Sequence, residues 1–103
     1  MMKSELFDIV KLLVDLPRDN LNAGDKGAIV DCYSDGNYEV EFTNHQGETL
    51  ALCTLSNEQF IVVWKVDTKS WLSRSEKITA IIDHLPDRSQ EEVLEFARSL
   101  CGH

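Results

Sequence analysis

Basic residues are scarce in this chain, and so are prolines, cysteines and long apolar runs. Its 103 residues carry 10 Lys and Arg against 18 Asp and Glu, a formal charge of −8. Nucleic acid binds largely through Lys and Arg neutralising phosphates, so the deficit argues against direct DNA or RNA binding and leaves a basic protein as an allowed partner. Cysteine is limited to Cys32, Cys53 and Cys101, with no C-x-x-C pair, which excludes a zinc knuckle or a dithiol redox motif. No run approaches the roughly 18 apolar residues of a membrane span. The opening MMKSELFDIV is interrupted by Asp8, with Lys11 just beyond, unlike a signal peptide. A reducing cytoplasm is therefore the expected setting. Glycine-rich phosphate loops and nucleophile elbows are also missing. The expectation is a non-enzyme with no catalytic residues, metal or cofactor.

What is present centres on Gly24–Leu55. There GDKGAIVDCY, SDGN, YEVEFT, NHQG and ETLALCTL alternate β-patterned segments with tight turns containing glycine, the signature of a bent antiparallel meander. Asp35-Gly36 is a strong hairpin signal. Tyr38, Val40 and Phe42 alternate with Glu39 and Glu41, which predicts a strand with one face in the core and the other in water. Over Ala28–Tyr33 the same alternation is read with Ala28, Val30 and Cys32 inward. Leu50, Leu52, Cys53 and Leu55 continue the sheet, and Phe60–Val66 forms the last strand.

Residues Leu6–Leu16 fit two periods. Leu6, Ile9, Val10 and Leu13 match a helical face, whereas alternation fits a strand. The strand is taken, because the meander needs another partner. Pro17 ends this element, and Leu21 is the apolar anchor of the polar loop after it.

Residues 67–103 differ in kind. A linker bearing Trp71-Leu72 leads to Ser73-x-x-Glu76, a capping box, and then to the stripe Ile78, Ile81, Ile82 and Leu85. Pro86 ends that helix. Ser89-x-x-Glu92 predicts a second box, followed by Val93, Phe96, Ala97 and Leu100, with Gly102 as the C-cap. The fold expected is α+β, mainly β: a five-stranded SH3-like barrel over residues 1–66, then a linker and two-helix hairpin over 67–103. Up to Val66, 5 basic and 11 acidic residues leave −6; the remainder, with 5 and 7, carries −2.

The ordered elements F-D-I-V-K-L, D-L-P, G-D-K-G-A-I-V, Y-E-V-E-F and G-E-T-L-A-L-C-T-L resemble a small bacterial family, domain of unknown function 4926, over residues of about 5 to 63. The resemblance implies an SH3-like barrel, supports a strand at Leu6–Leu16, and carries no catalytic residue. It also suggests a companion of other proteins, of the toxin–antitoxin or immunity kind. The stretch from Ile78 to Leu100 is similar to a helical motif of antitoxin-like proteins, with its L-P turn before E-V-L-x-F.

Candidate residues follow from these patterns. Asp31, Glu39 and Glu41 form an acidic strand face suited to Lys and Arg on a partner. Trp64, Trp71, Leu72, Val93, Phe96 and Leu100 are apolar side chains that either fold the hairpin back onto the barrel, with Trp71 as a wedge, or grip a protein partner or second copy. His45 reads as a solvated turn residue, and His84 as a helix-end residue favoured by the dipole. Cys32 reads as a small buried hydrophobe. The preferred function is an interaction protein, the antitoxin or immunity-type companion of a basic toxin. The alternative is an accessory KOW or Tudor-like barrel contacting nucleic acid or ribonucleoprotein, with Tyr33 and Tyr38 stacking on bases.

Overall fold

The structure is a computed structural model describing residues 4–102. Strands β1 (Ile9–Leu12), β2 (Lys26–Cys32), β3 (Asn37–Thr43), β4 (Thr49–Ser56), β5 (Phe60–Lys65) and β6 (Ser70–Trp71) precede helices α1 (Arg74–Asp83) and α2 (Asp87–Leu100). The strands form one antiparallel sheet in the order β4-β3-β2-β1-β5-β6.

The α+β class holds, but the sheet has six strands rather than five and is not closed. Its unpaired edges are β4 and β6. It nevertheless curls strongly. Cys53 and Leu55 of β4 share one core with Phe60 and Val62 of β5, joined by Val10, Leu12, Leu21, Ile29, Val40, Phe42 and Leu72. Tyr38 meets Phe60 edge-to-face across that core, with ring centroids 5.6 Å apart. Curling lets a short chain bury both ends of its sheet against each other, as limited core size demands.

Strand β1 exists, and Val10 and Leu12 are its inward residues. In β3, Val40 and Phe42 are buried as the alternation requires. Strand β2 is read in the opposite phase: Gly27 and Ile29 are buried, whereas Cys32 is exposed. The reason is close backbone approach. A Cβ on Gly27 would stand 2.8 Å from Val40 Cγ1 and 2.9 Å from the Glu41 carbonyl oxygen, so only glycine fits there. A bulge between Ile29 and Asp31 then breaks the alternation. On β4, Ala51, Cys53 and Leu55 turn inward, leaving Leu50 and Leu52 exposed on the other face.

The expected linker is partly a strand. Residues after Val66 turn back, and β6 pairs with β5 through Trp64↔Trp71 and Lys65↔Ser70. Helix α1 begins as predicted: Ser73 Oγ accepts from the Glu76 amide at 3.1 Å, and Glu76 Oε1 accepts from the Ser73 amide at 2.8 Å. Helix α2 starts three residues before the expected Ser89 box, with Pro86 at the N-cap and no side-chain cap; fixed proline φ and Asp87 in the first turn suit that start. Its C-cap is Cys101 rather than Gly102. The Gln90 side-chain amide donates to the carbonyls of Ile82 and Leu85, both at 3.0 Å. It thereby adds a side-chain bond to carbonyls at the end of α1 and helps to fix the inter-helix turn.

One polar group lies wholly inside. Asp8 is fully buried, its Oδ2 lying 2.7 Å from Lys65 Nζ, itself only 7% exposed. The carboxylate also accepts from the amides of Glu5 and Val66, at 2.9 and 2.8 Å. Removing one member of such a pair strands the other charge. Asp8→Ala should cost about 3–5 kcal/mol, comparable to Phe42→Ala, for which core truncation predicts about 3–5 kcal/mol. Leu50→Ala, at an exposed position, should stay within about 0.5 kcal/mol. Urea unfolding of the three variants checks this ranking.

Candidate functional site

Amphipathic helices usually turn their apolar stripe toward a sheet. Here α1 packs on β5 with another side. Ser75, Glu76, Thr79, Ala80, Asp83 and His84 border the space above β5, while Ile78 and Ile81 are substantially exposed. Helix α2 buries no residue at all. Phe96 is 66% exposed, Leu100 55% and Leu94 50%; Val93 is half-buried. Ile82 of α1 joins Val93, Leu94 and Ala97 of α2 in lining a shallow groove of about 490 Å³. Asp87 and Glu91 border it. The molecule thus presents a shallow, largely apolar trough with acidic margins.

The expected partner residues divide among three places. Val93 lines the trough, whereas Phe96 and Leu100 are exposed on α2 outside its lining. Asp31 stands opposite Glu39 in the β2–β3 ladder, and the Glu41 carboxylate accepts from the Thr49 hydroxyl at 2.7 Å. Glu39 accepts from the Tyr33 phenol at 2.8 Å and the Thr54 hydroxyl at 3.1 Å. That bond to Glu39, reinforced by partial desolvation and nearby carboxylates, raises the Tyr33 phenol above its ordinary range. Trp71 is not a wedge between hairpin and sheet. It packs edge-to-face on Trp64, with centroids 6.5 Å apart, and Lys26 Nζ sits 5.3 Å from its ring centre, a cation–π contact. Leu72 is buried in the core, because its amide donates to the Val63 carbonyl at 2.8 Å and draws it over β5. It offers no free surface.

The histidines part company too. His45 is exposed in the β3–β4 turn. His84 shares a cavity with Asp83 and Glu76, the grouping an acid–base site would need. Its chemistry is otherwise engaged: Nδ1 lies 2.7 Å from the Ala80 carbonyl oxygen, and Nε2 contacts the Asn57 carbonyl oxygen. Glu76 is committed to its cap, and the hydrogen bonds from Ser73 hold its carboxyl below the usual range. His84 therefore clasps the end of α1 to the β4–β5 turn. Among the described residues no group of three or more His, Cys, Asp or Glu side chains is placed to hold a metal, and no helix is long and apolar enough to cross a membrane.

Sequence reading missed Leu94, the Gln90 lock and the exposed Leu50–Leu52 pair. Leu94 lies at the edge of the α2 stripe, and its spacing from Ala97 was available as a signal; the other two depend on tertiary phase.

A family model, domain of unknown function (DUF4926), matches residues 6–62. The chain belongs to this family, and the match covers the sheet through the first half of β5. No curated protein matches the chain, and no solved structure does.

Burial, followed by a hydrogen bond with Asp19, pushes the Cys53 thiol up to about 11. Only the thiolate is an effective nucleophile, so Cys53 should resist a disulfide reagent at pH 8 until the protein unfolds. Exposed Cys32 and Cys101 should react in the native state. Mass spectrometry of labelled native and urea-treated protein separates the three.

Proposed function

We propose that this chain is a non-enzymatic protein-binding module whose two helices receive a basic amphipathic helix from a partner. The observation that carries the reading is the unburied stripe of α2, continued by Ile82 across the turn. An apolar trough between helices suits helix-in-groove recognition. Its margins, Asp87 and Glu91, carry the sign that favours Lys and Arg. The sheet adds a longer-range contribution: Asp31, Glu39 and Glu41 belong to the −6 portion of a chain of net charge −8. Such a field accelerates encounter with a basic protein more than it strengthens the final complex.

The role fitting these features best is that of a cytoplasmic companion masking a basic protein, as antitoxins and immunity proteins do. Engagement of both His84 nitrogens and of the Glu76 carboxylate supports a binding function over catalysis. Its resemblance to an SH3-like barrel is proposed at the level of curl and strand content, with the sheet left open. Nucleic acid is disfavoured by the charge, and the Tyr33 hydroxyl is bonded to Glu39.

The test is association with a basic protein partner, sought first among the products of adjoining genes, followed by sedimentation and calorimetry. A one-to-one complex should form, and Leu94→Asp with Ala97→Asp, both in the trough lining, should weaken it at least about a hundredfold, as loss of central apolar anchors does. The circular dichroism of the chain alone should barely change, because neither residue is buried. A self-dimer built on this face with no affinity for the basic protein would contradict the reading, as would a complex indifferent to both substitutions.

A further inference from the structure

The way α1 is seated leaves something unexplained by partner binding. Above β5, where a helix would ordinarily insert large apolar side chains, it presents Ser75, Thr79 and Ala80, and a cavity of about 280 Å³ results. Its floor is apolar: Phe60, Ile61, Val62 and Leu72, each almost wholly buried. The helix is held in this orientation at both ends. The Ser73–Glu76 box and buried Leu72 fix its start. The clasp of His84 on the Asn57 carbonyl fixes its end. Rolling the helix to drop Ile78 or Ile82 into the space would break that clasp. The gap is thus maintained by specific contacts.

The lining also has a sign. Glu76 and Asp83 border the cavity, and no Lys or Arg does. The Thr79 hydroxyl donates to the Ser75 carbonyl at 3.0 Å, and both His84 nitrogens face carbonyl oxygens, so these two side chains are engaged within the chain. What is left for a ligand is an apolar floor, the Asp83 carboxylate and the Glu76 oxygen that the cap does not use, with Ser4, Asn57 and Ser75 completing the lining. A cavity of about 150 Å³ admits benzene, so this one accommodates a bicyclic ring or a medium alkyl chain.

We propose that the β5–α1 cavity is a binding site for a small amphipathic cation, an aromatic or alkyl amine whose apolar body rests on Phe60, Ile61, Val62 and Leu72 and whose ammonium faces Asp83 and Glu76. The site lies on the opposite side of α1 from the Ile78–Ile81 stripe and is independent of the helical trough. Ligand preference follows from charge, since an ammonium is attracted by both rim carboxylates and a carboxylate of the same shape is repelled.

Titration of the full chain with tryptamine, against its carboxylate counterpart indole-3-propionate, tests this by residue-resolved nuclear magnetic resonance. Tryptamine should give saturable shifts confined to Ile61, Val62, Leu72 and the residues around Ala80, with affinity at least about tenfold above that of the acid, a gap worth about 1.4 kcal/mol. Ala80→Leu, which fills the space while keeping a strong helix former, should weaken binding at least about tenfold; Thr79→Leu serves if that variant does not fold. Asp83→Asn should narrow the amine-over-acid preference without abolishing uptake. Absence of saturable shifts, shifts centred on α2 or the outer sheet face, or undiminished binding by a folded cavity-filling variant would overturn the proposal.

Discussion

The buried pair of Asp8 and Lys65 is the constraint that positions the rest of the molecule. Ionic groups are costly to remove from water, and they persist inside only when attraction and hydrogen bonds offset that cost. Here Asp8 gathers the Lys65 ammonium and two backbone amides, leaving no buried side-chain polar atom unpartnered among the described residues. To aim the carboxylate inward the chain accepts a left-handed Phe7, with φ of +72°, a conformation that costs a side-chain-bearing residue about 1–3 kcal/mol. The bond from the Phe7 amide to the Ile29 carbonyl, at 2.7 Å, helps to hold it there. Two segments separated by most of the sheet in sequence are thereby joined at one point.

Several features descend from that junction. Lys65 ends β5, so fixing it fixes where the chain turns to make β6. The returning strand delivers Leu72 into the core and Ser73 to the head of α1. From there the helix direction is set by its cap, and its far end by His84 on Asn57. The two helices consequently differ in how they are held. Helix α1 belongs to the sheet, and α2 departs from it across the Gln90-locked turn. Its apolar residues have no counterpart on the strands to cover them.

The parts of this arrangement that could be read from sequence are those with one unambiguous period. In YEVEF, large apolar and acidic residues alternate without exception, and β3 obeys. The Ser73–Glu76 box is equally direct. In GAIVDC both phases carry apolar residues, so the phase was decided by a glycine hidden against Val40 and Phe42, which no hydrophobicity count weighs. TLALCTL has the same ambiguity: Leu50 and Leu52 proved to face outward and Leu55 inward. A two-residue strand has no period to detect, so β6 read as linker. Ser89 matched a capping pattern, but Pro86 had already fixed a helical start three residues earlier. The Asp8–Lys65 contact spans 57 positions, a separation at which charge pattern alone names no partner. The candidate residues fared similarly: the α2 stripe was visible, whereas the burial of Leu72 and the stacking of Trp71 depended on the unseen strand.

The central claim is that the sheet and α1 form a self-sufficient body while α2 leaves its apolar face uncovered. Native-state hydrogen exchange on the monomeric chain tests it most directly, because exchange resolves local opening from global unfolding. The account predicts that amides of β1, β2, β3 and β5 exchange only through global unfolding, and that those of α2 exchange through much cheaper local opening. Protection of α2 equal to that of the central strands, in a sample shown to be monomeric, would contradict it.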